Sequence, residues 1–143
     1  KENGLTDFDI IGLSYYPKWS TFSMQQTGKA IQTLKKTYKK EVMIVETSYP
    51  FTLKGIDPAN NILGEDSLIE GYPATQKGQL EYLLDFKKII KDAGGNGLIY
   101  WEPAWVTNKC FTRWGKGSHW ENATLFSFDN KPTLGITFLK SSN

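Results

Sequence analysis

Three times along the chain a short apolar run gives way to a long loop and then to a segment of helical spacing, and this alternation leaves few folds open. The first unit pairs a predicted strand over 8–13 with an aromatic-rich loop, Ser14-Tyr15-Tyr16-Pro17-Lys18-Trp19. A helix follows over about 21–40, where Met24, Ile31, Leu34 and Tyr38 recur between lysines and glutamines. The second unit opens with Val42-Met43-Ile44-Val45, an uninterrupted apolar run that suits a strand covered on both faces, because neither face has water to alternate toward. Its loop runs over 47–72, and its helix over about 74–93 carries Leu80, Leu83, Leu84, Phe86, Ile89 and Ile90 before Gly94-Gly95 stops it. The third unit begins with a strand over 97–101 and continues in a loop to about Trp120. Thr124-Leu125-Phe126-Ser127-Phe128 then precedes a turn at Asp129-Asn130, and a short helix is expected over 133–140.

Strand, loop and helix in repeated order predict an α/β chain with a parallel sheet. A complete eight-fold barrel needs about 250 residues. With 143 residues, this chain has room for about three of the eight units. It starts at Lys1 without an initiator methionine, and its first strand pattern begins within a few residues, so a piece of something longer is expected.

The chemistry concentrates where the apolar runs end. The second run stops at Glu46 and the third at Glu102. Strand-end side chains of a β/α barrel point into its mouth on a rigid scaffold. The plain alternative is that each Glu marks a strand's exit into solvent. A Glu46/Glu102 pair is physically possible, because adjacent strands lie about 4.8 Å apart. Against it, side chains alternate along a strand, so an inward Trp101 sends Glu102 away or just beyond the rim. Five tryptophans, at 19, 101, 105, 114 and 120, are many for a small core and fall mostly in strand-end loops. Flat indoles suit the apolar C–H faces of sugars, although Trp19 and Trp114 are equally suited to packing.

Charge excludes some partners. The net charge is +2, from 17 basic and 15 acidic residues, which gives no electrostatic case for nucleic acid or an anionic membrane. Lys29, Lys35, Lys36, Lys39 and Lys40 read as the solvated face of the first helix. A single cysteine, Cys110, has no internal disulfide partner, and a single histidine, His119, makes no multi-histidine metal site. No stretch is long and apolar enough to span a bilayer.

Five motifs then carry a family resemblance. They are Ile11-Gly12-Leu13-Ser14-Tyr15-Tyr16-Pro17, Val45-Glu46-Thr47-Ser48-Tyr49-Pro50, Tyr72-Pro73-Ala74 with Gly78-Gln79, Tyr100-Trp101-Glu102-Pro103-Ala104-Trp105, and Trp120-Glu121-Asn122-Ala123-Thr124-Leu125-Phe126. In this order they resemble the endo-β-1,4-galactanases of glycoside hydrolase family 53, retaining enzymes built on (β/α)8 barrels. The resemblance implies a partial TIM barrel, strands six to eight with their helices, in one domain over 1–143. It implies Glu46 as nucleophile, Tyr15 or Tyr16 as its orienting donor, and Ser14, Trp101, Glu102, Trp105 and Trp120 as substrate-binding residues. The general acid/base of the family, on strand four, has no match here. A fragment without it is expected to be inactive.

The same resemblance implies β-1,4-galactan as substrate, an N-terminal remainder of the enzyme as partner, and an extracytoplasmic location. No cofactor is implied for catalysis. Bacterial members bind a structural calcium in the loop after strand seven. That loop here offers Asp57, Asn60, Asn61 and Asp66, with Glu65 beside them, but it lacks the Asp-Gly-His-type ligand run. Two other classes stay open: a non-catalytic glycan-binding module, and a related retaining enzyme such as a mannanase or cellulase. Asn122-Ala123-Thr124 is formally a glycosylation acceptor, of the kind that also arises by chance.

Overall fold

A computed structural model of the chain describes Gly4 and residues 7–140. Strands β1 (Ile10–Ser14), β2 (Glu41–Thr47) and β3 (Leu98–Tyr100) form a parallel sheet in the order β1-β2-β3. Helix α1 (Met24–Tyr38) follows β1, and α2 (Gln76–Asp92) follows β2. The first strand thus starts two residues later than its apolar pattern and runs on through Ser14.

Local chemistry sets the helix ends. Ser23 and Gln26 form a reciprocal capping box at the start of α1: Ser23 Oγ accepts the Gln26 amide at 3.2 Å, and Gln26 Oε1 accepts the Ser23 amide at 2.7 Å. Thr75 caps α2 through the Gly78 amide at 3.0 Å. Gly78 cannot carry a side chain here, because a Cβ would stand 2.0 Å from the Pro73 carbonyl oxygen.

One face of the sheet packs on the helices. Val42 and Ile44 from β2, Ile31 from α1 and Leu83, Phe86 and Ile90 from α2 are buried together, with Phe138 closing the far side. On the opposite face, Ile10 is 47% and Ile99 50% exposed, and the outer edges of β1 and β3 pair with no described strand.

Buried Gln79 ties α2 to three other segments. Its Nε2 donates to the Tyr49 carbonyl, the Tyr100 hydroxyl and the Thr124 carbonyl at 2.8–3.1 Å, and Thr133 Oγ1 donates to its Oε1 at 3.3 Å.

The short helix expected after Asn130 is present and is of the 3₁₀ type, Leu134–Leu139. It is too short to repay α-helix nucleation, and Gly135 must approach α2 closely, since a Cβ there would lie 2.1 Å from Gln79 Oε1. The loop after β3 holds a small antiparallel hairpin, β4 (Phe111–Thr112) and β5 (Gly115–Lys116). Gly115, with φ of 113°, takes the positive-φ position that follows the turn at Arg113-Trp114. Among the described residues no helix is long and apolar enough to cross a membrane.

Candidate active site

The site begins with an irregularity in β2. Leu13 faces Ile44 across the sheet, but Ser14 faces Glu46, and on the other side Ile44 and Thr47 pair with Leu98 and Tyr100. β2 therefore carries one residue more than either neighbour between Ile44 and Glu46. Such a bulge shifts the alternation of side chains by one. Ile44 and Thr47 both turn to the helices, where Thr47 Oγ1 lies 2.9 Å from the Tyr82 hydroxyl of α2. Strict alternation would have sent Glu46 to that side. Instead it turns away from α2, and the Tyr16 hydroxyl donates to its Oε2 at 3.2 Å.

The two candidate tyrosines separate clearly. Tyr15 is buried with its ring 4.7 Å from Phe86, and burial pushes its phenol up to about 12. Its side chain belongs to the core and does not reach the Glu46 carboxylate; only its backbone amide meets Glu46, donating to the carbonyl at 2.9 Å. Tyr16 is also buried, and its phenol is raised further, first by burial, then by the Glu46 charge and the bond to it, with smaller pushes from Tyr100 and Glu102. It keeps its proton and so remains a donor. Ser14 lies exposed at the same strand end, opposite Glu46.

Beside this pair opens a cavity of about 550 Å³, lined by Ile62, Trp101, Glu102, Trp105, Trp114, His119 and Trp120. Trp101 and Glu102 share it, contrary to the expected alternation, because β3 ends at Tyr100 and Glu102 takes a left-handed conformation with φ of 51°. Trp120 is only 7% exposed. Its ring lies 5.9 Å from Tyr16, so it joins the Glu46 end of the site to the cavity. Trp19 packs edge-on against Tyr16 at 5.0 Å with more than half of its surface open.

The loops after β2 and β3 are tied by two carboxylates whose roles were not foreseen in the sequence. Asp57 Oδ2 accepts the Ser118 amide at 2.7 Å and the Asn108 amide at 3.2 Å, and its Oδ1 accepts the Ala59 amide at 2.8 Å. Glu121, 1% exposed, accepts the amides of Ile56 at 2.7 Å and Asp57 at 3.2 Å. Glu121 stands in a quoted motif, but nothing in a linear pattern says that a carboxylate will face backbone N–H groups 64 or 65 residues away.

The suggested calcium ligands are engaged separately. Asp57 is surrounded by N–H groups, whose positive ends suit a carboxylate and oppose a cation. Asn61 Oδ1 accepts the Asn122 amide at 3.4 Å, and the Asn60 carbonyl faces His119. Asp66 pairs with Lys18 at 3.0 Å, and hydrogen bonding to that ammonium holds its carboxyl below the usual range. Among the described residues no three histidine, cysteine or carboxylate groups gather around a common point. These residues do not form the oxygen cage that calcium requires. Asn122 is fully buried, and its Nδ2 donates to the Thr52 and Leu63 carbonyls at 3.0 and 2.8 Å, so the acceptor triplet is closed to modification in the folded chain.

Comparison with known proteins adds to this geometry. The chain is 56% identical over 139 residues to an arabinogalactan endo-β-1,4-galactanase of Cellvibrio japonicus, covering 97% of this chain and 37% of that protein. The catalytic domain of an Ignisphaera aggregans family 53 enzyme superposes with a TM-score of 0.86 at 28% identity, over 96% of this chain and 39% of the other. A fungal β-1,4-galactanase gives 0.69 at 26% identity, over 94% and 38%. The chain thus spans less than two-fifths of the length of these relatives, as a part of a barrel would. The model of glycosyl hydrolase family 53 matches residues 1–139, and the chain belongs to that family.

Proposed function

We propose that the complete protein is a retaining endo-β-1,4-galactanase acting on galactan or arabinogalactan outside the cytoplasm, and that this chain supplies strands six to eight of its barrel. Glu46 is the nucleophile and Tyr16 its orienting donor. The observation that carries this reading is the Tyr16–Glu46 bond at the C-terminal end of the sheet, beside an aromatic cavity. In a retaining mechanism one ionised carboxylate attacks the anomeric carbon while a second, protonated carboxyl about 5 to 5.5 Å away delivers a proton to the leaving oxygen. A neutral phenol donating to Glu46 holds the attacking oxygens in place without neutralising their charge. The indoles of Trp101 and Trp105 offer flat apolar faces to sugar rings, with Ser14 and Glu102 as polar contacts at the rim.

The acid/base belongs to the N-terminal part of the barrel. That part also covers the open face bearing Ile10 and Ile99 and pairs with the free edges of β1 and β3. This chain alone is therefore inactive: it lacks the proton donor, a group commonly worth about 10²- to 10⁴-fold.

Intact mass and β-1,4-galactan hydrolysis, measured on one sample of the complete protein, test the proposal. Glu46→Gln is expected to lower kcat on the order of 10⁴-fold with the fold unchanged. Unchanged turnover would remove Glu46 from the chemistry and make Glu102 the next residue to replace. Galactan affinity without turnover in the complete wild type would mean a binding module. Preferred hydrolysis of mannan or cellulose would assign a different substrate.

A further inference from the structure

His119 lies between two loops, and each of its ring nitrogens faces a carbonyl oxygen. Nδ1 is 2.9 Å from the Asn60 oxygen, in the loop after β2, and Nε2 is 3.1 Å from the Trp114 oxygen, at the tip of the β4–β5 hairpin. A carbonyl oxygen only accepts, so both contacts are hydrogen bonds only when both nitrogens carry protons. A neutral imidazole satisfies one and turns a lone pair toward the other.

The backbone makes this histidine a fixed post. Its carbonyl accepts the Ile62 amide at 2.9 Å, the preceding Ser118 is held by Asp57, and its ring meets Trp105 edge-on at 6.3 Å. The hairpin is the opposite case, because every residue from Phe111 to Lys116 is exposed. Trp114, 62% exposed, nevertheless lines the cavity together with His119. We propose that His119 is a positioning residue whose doubly protonated ring straps the hairpin to the loop after β2, setting Trp114 as one wall of the cavity, and that the strap opens when the ring loses a proton.

The charged surroundings suit this. The Asp57 carboxylate from the loop after β2 favours the cation, and Glu102 from the loop after β3 lines the same cavity. Within the hairpin the Arg113 guanidinium stacks 4.5 Å from the Trp114 ring. The two carbonyl contacts raise the imidazole above its ordinary value, more than partial burial lowers it. A raised folded value means that the strap is complete below the ordinary value of about 6.5 and is lost as pH rises through the folded one.

The inference rests on the sugar-cleft reading for its effect on binding but not for the strap itself, and the two are tested separately in the complete enzyme. Ring nitrogen NMR, with the His119 signals identified by their loss in His119→Gln, is expected to show both nitrogens protonated near pH 6 and a midpoint above the ordinary value. Amide exchange protection over 108–117 should fall through the same midpoint. The Kd for a β-1,4-galacto-oligosaccharide should rise about tenfold, the scale of one hydrogen bond to a charged group. In His119→Gln both readouts should stay at the wild type's high-pH level throughout. A midpoint at or below the ordinary value, or hairpin protection indifferent to pH, overturns the strap, as does a His119→Gln profile that still follows the wild type. Should that variant not fold, the wild-type titration and exchange data decide alone. Hairpin protection that tracks the titration without any galacto-oligosaccharide binding supports the strap and removes the galactan reading.

Discussion

Tyr16 and Tyr15 are neighbours with opposite fates, and the difference is the direction in which each leaves the end of β1. Tyr15 turns into the helix layer against Phe86, and Tyr16 turns over the sheet's end to Glu46. Tyr16→Phe removes one donor from a charged acceptor. It is expected to lower kcat on galactan roughly 10- to 100-fold in the complete enzyme, with the thermal midpoint little changed. Tyr15→Phe, by contrast, should leave kcat within about twofold while perturbing only packing. The strand-end position of Glu46 was legible in the sequence because an apolar run that ends in a carboxylate is a local signal. The choice between the tyrosines was not, because it depends on where two chain directions diverge. Asp57 and Glu121 escaped for a related reason: their partners are backbone amides, which every residue carries and no residue type announces.

At the level of elements, the three strand–loop–helix units and both long helices followed from apolar spacing and caps. What the pattern did not contain is the extra residue in β2. Period-two reading would orient Glu46 toward α2, and the bulge reverses it. Gly12 takes part, because a Cβ on it would come within 2.9 Å of the Val45 side chain. Deleting Val45 places Glu46 directly after Ile44, where simple alternation still turns it away from α2 and Thr47 toward it, so a reduced but measurable galactan hydrolysis is expected. Circular dichroism of the complete enzyme would separate that outcome from unfolding. Gln79→Ala tests the other organising device. It strands the Thr133 hydroxyl and removes a donor shared by three buried oxygens, so a loss of about 3 kcal/mol in denaturant-derived stability is expected. The hairpin and the 3₁₀ geometry of the final short helix were unreadable because their segments are short and owe their shape to contacts rather than propensity.

For the whole molecule, the uncovered sheet face is the dominant physical fact. Phe22, Leu134 and Leu139 add apolar surface on the helix side, each more than half exposed. Produced alone, this chain is expected to self-associate, as sedimentation would detect. Co-production with the N-terminal part of the barrel should return a soluble assembly that hydrolyses galactan. Asn122 bears on how such material is made. Oligosaccharide transfer acts on a nascent polypeptide before it folds, and the side chain that would receive the glycan is one the mature interior needs for the Thr52 and Leu63 carbonyls. In a eukaryotic secretory host, sugar attachment and maturation would compete for the same amide nitrogen. Chains modified there would be diverted to quality control, and mass spectrometry of the secreted fraction should find Asn122 bare.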